Sequence, residues 1–462
     1  MKKSNQNQKP LVSVVIPVFN KCDLTAQCLD AILKIGARAA FELIVVDDSS
    51  SDETPLLLSQ CANFVRGFRN PTNRGFAGSC NRGASEAAGK FIYFLNNDTL
   101  PQKGWLDALA DELTAHADVA MVGSKLLYPD GLVQHAGVAF GRDTRSPYHP
   151  NRLLHGDHPR VNKRREMQAV TAASVMMRAD VFKECGGFSE KFQTGYEDLD
   201  LCLTFRKKGK RIVYQPKSVL FHLESQTPGR LRNETANRAL FFERWSDHLL
   251  SDEDEYYFTD DLRILRSRDE VSEKIRTVRF ASPEERAQWG VVAECQRAAA
   301  GFRHDPMMKC LARVDAWPED ASIRRWAGSV AHRFGDKESA RRHFDIALAL
   351  DPTPELRVHA ALHDVDTGHV AGAARADWES AMIAGVRAIR AGQFEKACRE
   401  LESALLLGAP PTMVLPSLAR AAHGAGDHRA AESARLAFIG LPHFDPAVAE
   451  RLPRAPAPAG LS

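Results

Sequence analysis

Short apolar runs, each followed by a stretch with helical spacing, organise the first half of this 462-residue chain. LVSVVIPVF (11–19) is apolar and β-branched and is closed by Pro17 and Asn20, the pattern of a strand buried on both faces. In CDLTAQCLDAILKI (22–35) the apolar positions recur at helical spacing and stop at Gly36. FELIVVDD (41–48) and FIYFLNND (91–98) read as two further strands, and both end in acidic residues. Strands alternating with helices predict an α/β fold with a mostly parallel sheet flanked by helices. Ligands of such sheets bind beyond the carboxyl ends of the strands, so both acidic ends are expected to face one crevice.

Further along, the pattern changes. Residues 287–450 are rich in Ala and Arg, almost free of Lys, and lack strand-like runs. Gly301 and Gly335, Pro318 and Pro352, and Gly392 and Gly426 each stand 34 residues apart. Gly328, Gly335, Ala340, Phe344 and Ala347, ahead of Pro352, are matched at the same offsets by Gly385, Gly392, Ala397, Leu401 and Ala404. Small residues let two antiparallel helices approach, and large ones fill the gap between them. This spacing resembles a tetratricopeptide repeat, although residues 355–377 break the register and a generic Ala-rich bundle is the alternative. Between the halves, ALFFERWSDHLL (239–250) and the acidic run DEDE (252–255) read as a helix and a connector. The expected organisation is therefore an α/β domain over 1–230, a helical connector over 231–286, an all-α repeat domain over 287–450 and a disordered tail over 451–462.

Composition narrows the classes. A hydrophobic fraction of 44% is that of an ordinary globular protein. With 61 Lys+Arg against 59 Asp+Glu the formal charge is +2, which argues against a dedicated nucleic-acid binder. No apolar run nears the roughly 20 residues a membrane span needs, so no transmembrane segment is expected. The polar start and the lack of a small-residue cleavage site do not read as a signal peptide. Nine cysteines stand singly with no CxxC pair, so neither a zinc ribbon nor a disulfide framework is indicated, and a cytoplasmic, reducing compartment is expected. Peripheral attachment at the inner face of the membrane would rest on KKSNQNQK (2–9) or RKKGKR (206–211), both short enough to read as solvated surface.

Four strings can carry chemistry. In VVDDSSSDET (45–54), Asp47 and Asp48 either cap a turn or accept hydrogen bonds from a nucleotide base and a sugar hydroxyl. In NRGFAGSCNRG (73–83), Gly75, Gly78 and Gly83 permit close backbone approach, while Asn73, Arg74 and Asn81 add donors. The strand that follows delivers Asn96, Asn97 and Asp98, either as a turn or as ligands for a hard divalent cation that also needs a diphosphate. In GGFSEKFQTGYEDLDLCLTFRKKG (186–209), Glu197, Asp198 and Asp200 open a helix running to about Lys208. Three acids in four residues exceed what capping requires, and one of them near an acceptor hydroxyl could act as a general base. His222, ending the short apolar run before Leu223, is a structural histidine or a further metal ligand.

In this order, VSVVIPVFN, VVDDSSSDET, NRGFAGSCNRG, FLNNDT, GGFSEKF, YEDLDLCLTFRKKG and FHLES resemble the inverting nucleotide-sugar glycosyltransferases of family 2, which have the GT-A fold. The resemblance spans roughly residues 11–225, and the rhamnosyltransferase- and galactofuranosyltransferase-like branch is the most similar. It implies that Pro17, Asp47, Asp48, Asn73, Arg74, Gly75, Asn81 and Asn97 bind the nucleotide sugar. It implies that Asp98 and His222, with Asn96 where the family often has Asp, hold Mg²⁺ or Mn²⁺. It further implies that Asp198 is the catalytic base and that Glu197 orients the acceptor or supports that base. The expected donor is UDP-, GDP- or dTDP-linked, and the expected acceptor is a glycan or glycolipid of surface-polysaccharide or O-antigen type. Two other readings compete: a protein glycosyltransferase whose repeats hold the target protein, and a non-catalytic scaffold. Residues 287–450 are the expected surface for a protein partner.

Overall fold

The computed structural model describes residues 9–142, 146–192, 194–223, 234–245, 248–249, 251–268, 273–300, 320–350, 377–409 and 411–427, with isolated positions between 306 and 434. Gly301, Pro318, Pro352, most of 355–377, residues 2–8, Glu224, Ser225 and the 451–462 tail, on which some expectations rest, lie outside the described residues. By its contacts the chain divides into two compact units, Met1–Asp261 with Gln296–Arg303, and Leu262–Cys295 with His304–Ser462.

In the first unit β1 (Val12–Val18), α1 (Cys22–Ile35), β2 (Phe41–Asp47), α2 (Thr54–Gln60), β3 (Val65–Arg69), α3 (Gly75–Ser85) and β4 (Phe91–Leu95) alternate. There follow β5 (Thr99–Pro101), α4 (Asp107–Ala115), β6 (Val119–Leu127), β7 (Val133–His135), β8 (Ala139–Phe140) and β9 (Pro147–Tyr148). Then come β10 (Arg165–Met167), β11 (Ser174–Arg178), α5 (Ala179–Glu184), α6 (Glu197–Lys207) and β12 (Arg211–His222). The sheet order is β10-β12-β6-β11-β4-β1-β2-β3, with β5 on β12 and β7 on β6. β1 runs parallel to β2 and β4, β2 to β3, and β12 to β6. β11 enters antiparallel between β4 and β6, which makes the mostly parallel sheet a mixed one.

The central strands β1, β2 and β4 are nearly continuous apolar runs because both faces of the sheet are covered there, whereas the edge strand β3 is largely exposed. Val15, Ile44, Val46 and Phe94 pack in one core with Phe182, Phe188 and Phe205. Val14, Ile16, Val45 and Tyr93 alternate with them into a second core, with Leu29, Trp105 and Leu109. Each fully buried side chain of this kind contributes roughly 1.5–3 kcal/mol. α3 lies so close to β1 that a Cβ on Gly83 would come within 2.3 Å of Val15 Cγ1. Gly83 therefore serves helix packing, in a string that is a helix from Gly75 onward.

β12 shifts register between Gln215 and Val219, where Pro216 interrupts the ladder. Its far end then pairs with β5, His222 opposite Thr99. Two more helices belong to this unit, α7 (Glu234–Trp245) and α8 (Glu253–Phe258). The acidic DEDE run, read as a connector, supplies the N-cap and first turn of α8, with Asp252, Glu253 and Asp254 buried. Asp252 Oδ1 accepts the Phe140 N–H (2.7 Å), Glu253 accepts the Arg142 N–H, and Tyr148 O–H donates to Glu253 (3.2 Å). The segment thus grips both strands of the β8–β9 hairpin.

In the second unit β13 (Leu262–Arg268) and β14 (Glu273–Arg279) form an antiparallel hairpin inside the stretch expected to be helical. Its sequence, LRILRSR and EKIRTVR, mixes apolar and basic residues without a clean period of two, so periodicity does not mark it as a pair of strands. The other described elements are helices. Ala321–Arg333 and Lys337–Leu350 form one hairpin, and Asp377–Arg390 and Phe394–Leu406 form another, followed by Pro411–Gly424. A Cβ on Gly328 would meet the Phe344 ring at 3.0 Å, and one on Gly385 would meet Leu401 at 2.5 Å. Gly335 and Gly392 occupy the two turns at φ 85° and 68°, which a side chain would resist.

Burial pushes the Asp252 carboxyl from its usual 3.8 up to about 7, against the opposing hydrogen bond from Phe140. Within that window the folded chain keeps a proton that the unfolded chain has released. Stability from this group is therefore full below pH 3.8 and lost as the pH rises through about 7. Asp252→Asn should remove this slope, worth up to about 1.4 kcal/mol per pH unit. Thermal midpoints of both proteins at several pH values within the window should show the native chain losing ground to the variant as pH rises. A constant gap would contradict the buried carboxyl.

Candidate active site

A cavity of about 240 Å³ opens beyond the carboxyl ends of β1, β2 and β4. Asp48 and Asp98 both line it, and Pro17, Phe19 and Lys21 form the wall that continues β1. Asp47 is buried and turned inward: Oδ1 accepts the Ser50 N–H (2.8 Å) and Oδ2 faces the Arg69 guanidinium. Asp48 accepts the backbone N–H groups of Arg74 and Gly75, each at 2.8 Å, and the Asn70 amide at 2.8 Å. It thereby occupies the donors that open α3.

Asn73 and Gly75 line the cavity. Arg74 instead reaches Glu190 at 3.0 Å. Asn81 is tied to the loop after α5, with Nδ2 donating to Phe188 O and Oδ1 accepting the Phe188 N–H, both at 2.9 Å. Asn97 lines the cavity and donates to Thr25 Oγ1 of α1 (2.9 Å).

The pairing of β5 with the end of β12 brings His222 Nε2 to 3.1 Å from Asp98 Oδ1. The Asn96 amide lies 3.4 Å from the same nitrogen. His222 Nδ1 stands 2.6 Å from Gln134 Oε1, an acceptor, so the ring proton belongs on Nδ1. Nε2 then presents a lone pair toward a carboxylate oxygen. A cation held between that lone pair and the carboxylate would satisfy both. An outer acceptor holding the far ring nitrogen is also the usual support of a metal-bound histidine.

On the opposite wall, Thr194, Gly195 and Tyr196 take left-handed backbone in succession, at φ 63°, 111° and 72°. A non-glycine residue held there costs on the order of 1–3 kcal/mol. This strained turn swings the start of α6 into the cavity. Glu197 accepts the Gly195 N–H (2.5 Å), and Asp198 Oδ2 accepts the Ala172 N–H (3.1 Å). Asp200 turns away from the cavity wall. Its carboxylate holds Trp245 Nε1 (2.8 Å) and Arg244 (3.2 Å), anchoring α7, and burial pushes its pKa up.

Asp48, Asp98, Glu197 and Asp198 thus share one cavity, with Lys21 as the cation among its described lining residues. An anionic diphosphate would be repelled there without a counter-ion. Asp98 and His222 offer one oxygen and one nitrogen ligand. Among the described residues no set of three His, Cys, Asp or Glu converges. This donor set fits Mg²⁺ or Mn²⁺ that completes its shell on phosphate oxygens. Sequence reasoning missed Gln134, Lys21 and the Thr171–Ala173 wall. For Gln134 the available signal was the Pro129-Asp130-Gly131 turn followed by a short strand.

Residues 13–186 match the family model described as Glycosyl transferase family 2, so this stretch is a family 2 domain. Its sheet, mixed and mostly parallel between helices, is GT-A-like. An uncharacterized protein of Sinorhizobium fredii is 30% identical over 250 residues, covering 52% of this chain and 27% of that protein. The O-antigen biosynthesis protein RfbC of Myxococcus xanthus is 34% identical over 230 residues, covering 47% of this chain and 17% of that protein. The chain therefore spans about a quarter or less of the length of these two relatives. Among solved structures, GalNAc-T7 with UDP, GalNAc and Mn²⁺ aligns at a TM-score of 0.43 and 16% identity, covering 55% of this chain and 51% of that one.

If Gln134 orients His222 for a cation, Gln134→Leu should weaken Mn²⁺ binding by about ten- to a hundredfold. Electron paramagnetic resonance titration of free Mn²⁺ in the presence of UDP reads this without turnover. Unchanged affinity would remove Gln134 from the site.

Proposed function

We propose that this chain is an inverting glycosyltransferase that moves a sugar from a nucleoside-diphosphate donor to a hydroxyl of a surface-polysaccharide glycan or glycolipid. The observation that carries the reading is the meeting in one cavity of Asp98, backed by His222, and Asp198. The family 2 match over residues 13–186 supports the reaction class, and the name of the Myxococcus relative supports the acceptor class.

Asp98 and His222, with Asn96 beside them, would hold Mg²⁺ or Mn²⁺, which when bound supplies positive charge against the leaving diphosphate. Pro17, Asp48, Asn73, Gly75 and Asn97 form the donor side of the wall. Asp47 acts from behind it, through Arg69 and the Ser50 turn. Arg74 and Asn81 fix the α3 start against the loop at Phe188 and Glu190. Asp198 takes the proton of the acceptor hydroxyl as that oxygen attacks the anomeric carbon, and the nucleoside diphosphate departs from the opposite face. Glu197 holds the strained turn at Gly195 and so sets the direction of Asp198.

The helical unit favours a second reading, in which the acceptor is a protein that lies along tetratricopeptide-like hairpins. The matched close approaches at Gly328 and Gly385 favour it.

A panel of UDP-, GDP- and dTDP-hexoses with Mn²⁺ should contain a donor from which the chain releases nucleoside diphosphate. Asp198→Asn should lower turnover by roughly 10²–10⁴-fold while donor affinity stays within about threefold. Near-full turnover in that variant would reassign the base, and release from no donor would overturn the reaction.

A further inference from the structure

Asp198 lines two cavities. The second, of about 260 Å³, shares Thr171, Thr194, Gly195 and Asp198 with the first and is completed by Val138, Pro147, Tyr148, His149, Tyr196 and Leu199. Asp198 is its sole carboxylate, and no Lys or Arg is among these described lining residues. Among the described lining residues an anionic phosphate finds no Lys or Arg as counter-charge. Aromatic and apolar faces with a few polar edges suit a neutral ring that carries hydroxyls.

One lining residue of this wall, His149, is backed by a second imidazole. His135, on β7 beside Gln134, is buried, and its Nε2 lies 3.3 Å from the Gly137 N–H and 3.4 Å from the Thr171 N–H. Both of those groups are donors, so Nε2 carries the lone pair. Its proton sits on Nδ1, which lies 2.9 Å from His149 Nδ1. That nitrogen of His149 must accept, and the neutral His149 ring therefore carries its proton on Nε2. Burial, with His149 and His222 near, holds the pKa of His135 well below the ordinary histidine value, in keeping with a neutral relay. The β8–β9 hairpin bearing Tyr148 is itself fixed by Asp252 and Glu253.

We propose that His149 is an acceptor-recognition residue of the second cavity, held by His135 in the tautomer that donates from Nε2 to an oxygen of a neutral sugar ring. The proposal rests on the glycosyl-transfer reading and narrows it. The group seated next to Asp198 is an uncharged glycan residue and not a phosphate-bearing one, and His135 acts as a positioning residue through His149.

The test uses the full chain with Mn²⁺, the donor found in the nucleotide-sugar panel, and neutral p-nitrophenyl glycosides as acceptor probes. Glycoside binding is read by saturation-transfer NMR, and transfer by product formation. His149→Phe keeps the aromatic face and loses the donor. It should raise the acceptor KM by about three- to tenfold, the worth of one neutral hydrogen bond, with the donor KM and acceptor-free hydrolysis unchanged. His149→Gln should restore part of the loss. His135→Asn, which can both accept from the backbone and donate to His149, should be milder than His135→Phe, and thermal midpoints identify any variant that fails to fold. Donor cleavage with an unchanged acceptor KM in His149→Phe overturns the role of His149 alone. Donor cleavage with no glycoside bound overturns the neutral-ring cavity. Absence of donor cleavage in the native chain overturns the glycosyl-transfer reading and this inference with it.

Discussion

Four carboxylates pointed into one small cavity repel one another, and the architecture of the first unit is the means by which that repulsion is tolerated. Asp48 is met by the N–H groups that open α3, Glu197 by Gly195, and Asp198 by Ala172. Asp98 faces His222. Each partner belongs to a different element, so the strand order is what allows the charges to be gathered at all. β12 must bend at Pro216 to reach β5, and β11 must enter antiparallel to place Thr171–Ala173 opposite α6. A hydrogen bond to an ionised group contributes roughly 1.5–3 kcal/mol. Losing one here would cost more than its own energy, because a sequestered carboxylate would be left without its donor.

What the sequence made legible follows from range. The bounds of β1, α1, β2 and β4 could be read locally, since apolar period and turn residues lie within a few positions of each boundary. The three-acid start of α6 and the Asn-Asn-Asp strand end were also visible as strings. The partners of individual polar residues were not. Asn81 finds Phe188 at a separation of 107 positions, and Asp200 finds Trp245 at 45. Asp200 counted as an excess acid in the string, yet its surplus charge is absorbed by an indole N–H and an arginine of α7. Gln134 stands 88 positions from His222, within a strand too short to show a period. Long-range pairing of this kind is set by topology, which a single chain's periodicity does not encode.

The helical unit was legible for a different reason. Its information lies in size and not in charge: glycine where a helix must come close, and Phe344 or Leu401 where the space is filled. That rule repeats at fixed offsets and can be recognised with no knowledge of partners. The β13–β14 hairpin escaped because its seven-residue strands lack a clean apolar alternation and carry little apolar mass beside such helices.

The acidic segment before α8 links these themes. In the sequence it reads as a connector, and four adjacent acids are costly to bury. It is buried nonetheless, because the β8–β9 hairpin presents backbone N–H groups at Phe140 and Arg142 that have no strand to pair with on that side. Carboxylates satisfy them better than solvent-excluded carbonyls could, and Glu253 extends the contact to Tyr148. The segment therefore decides the position of a hairpin whose far end forms the wall of the second cavity. This extends the compact unit to Asp261, about one helix pair beyond the last strand of the sheet, and makes residues outside the matched 13–186 stretch part of the geometry around Asp198.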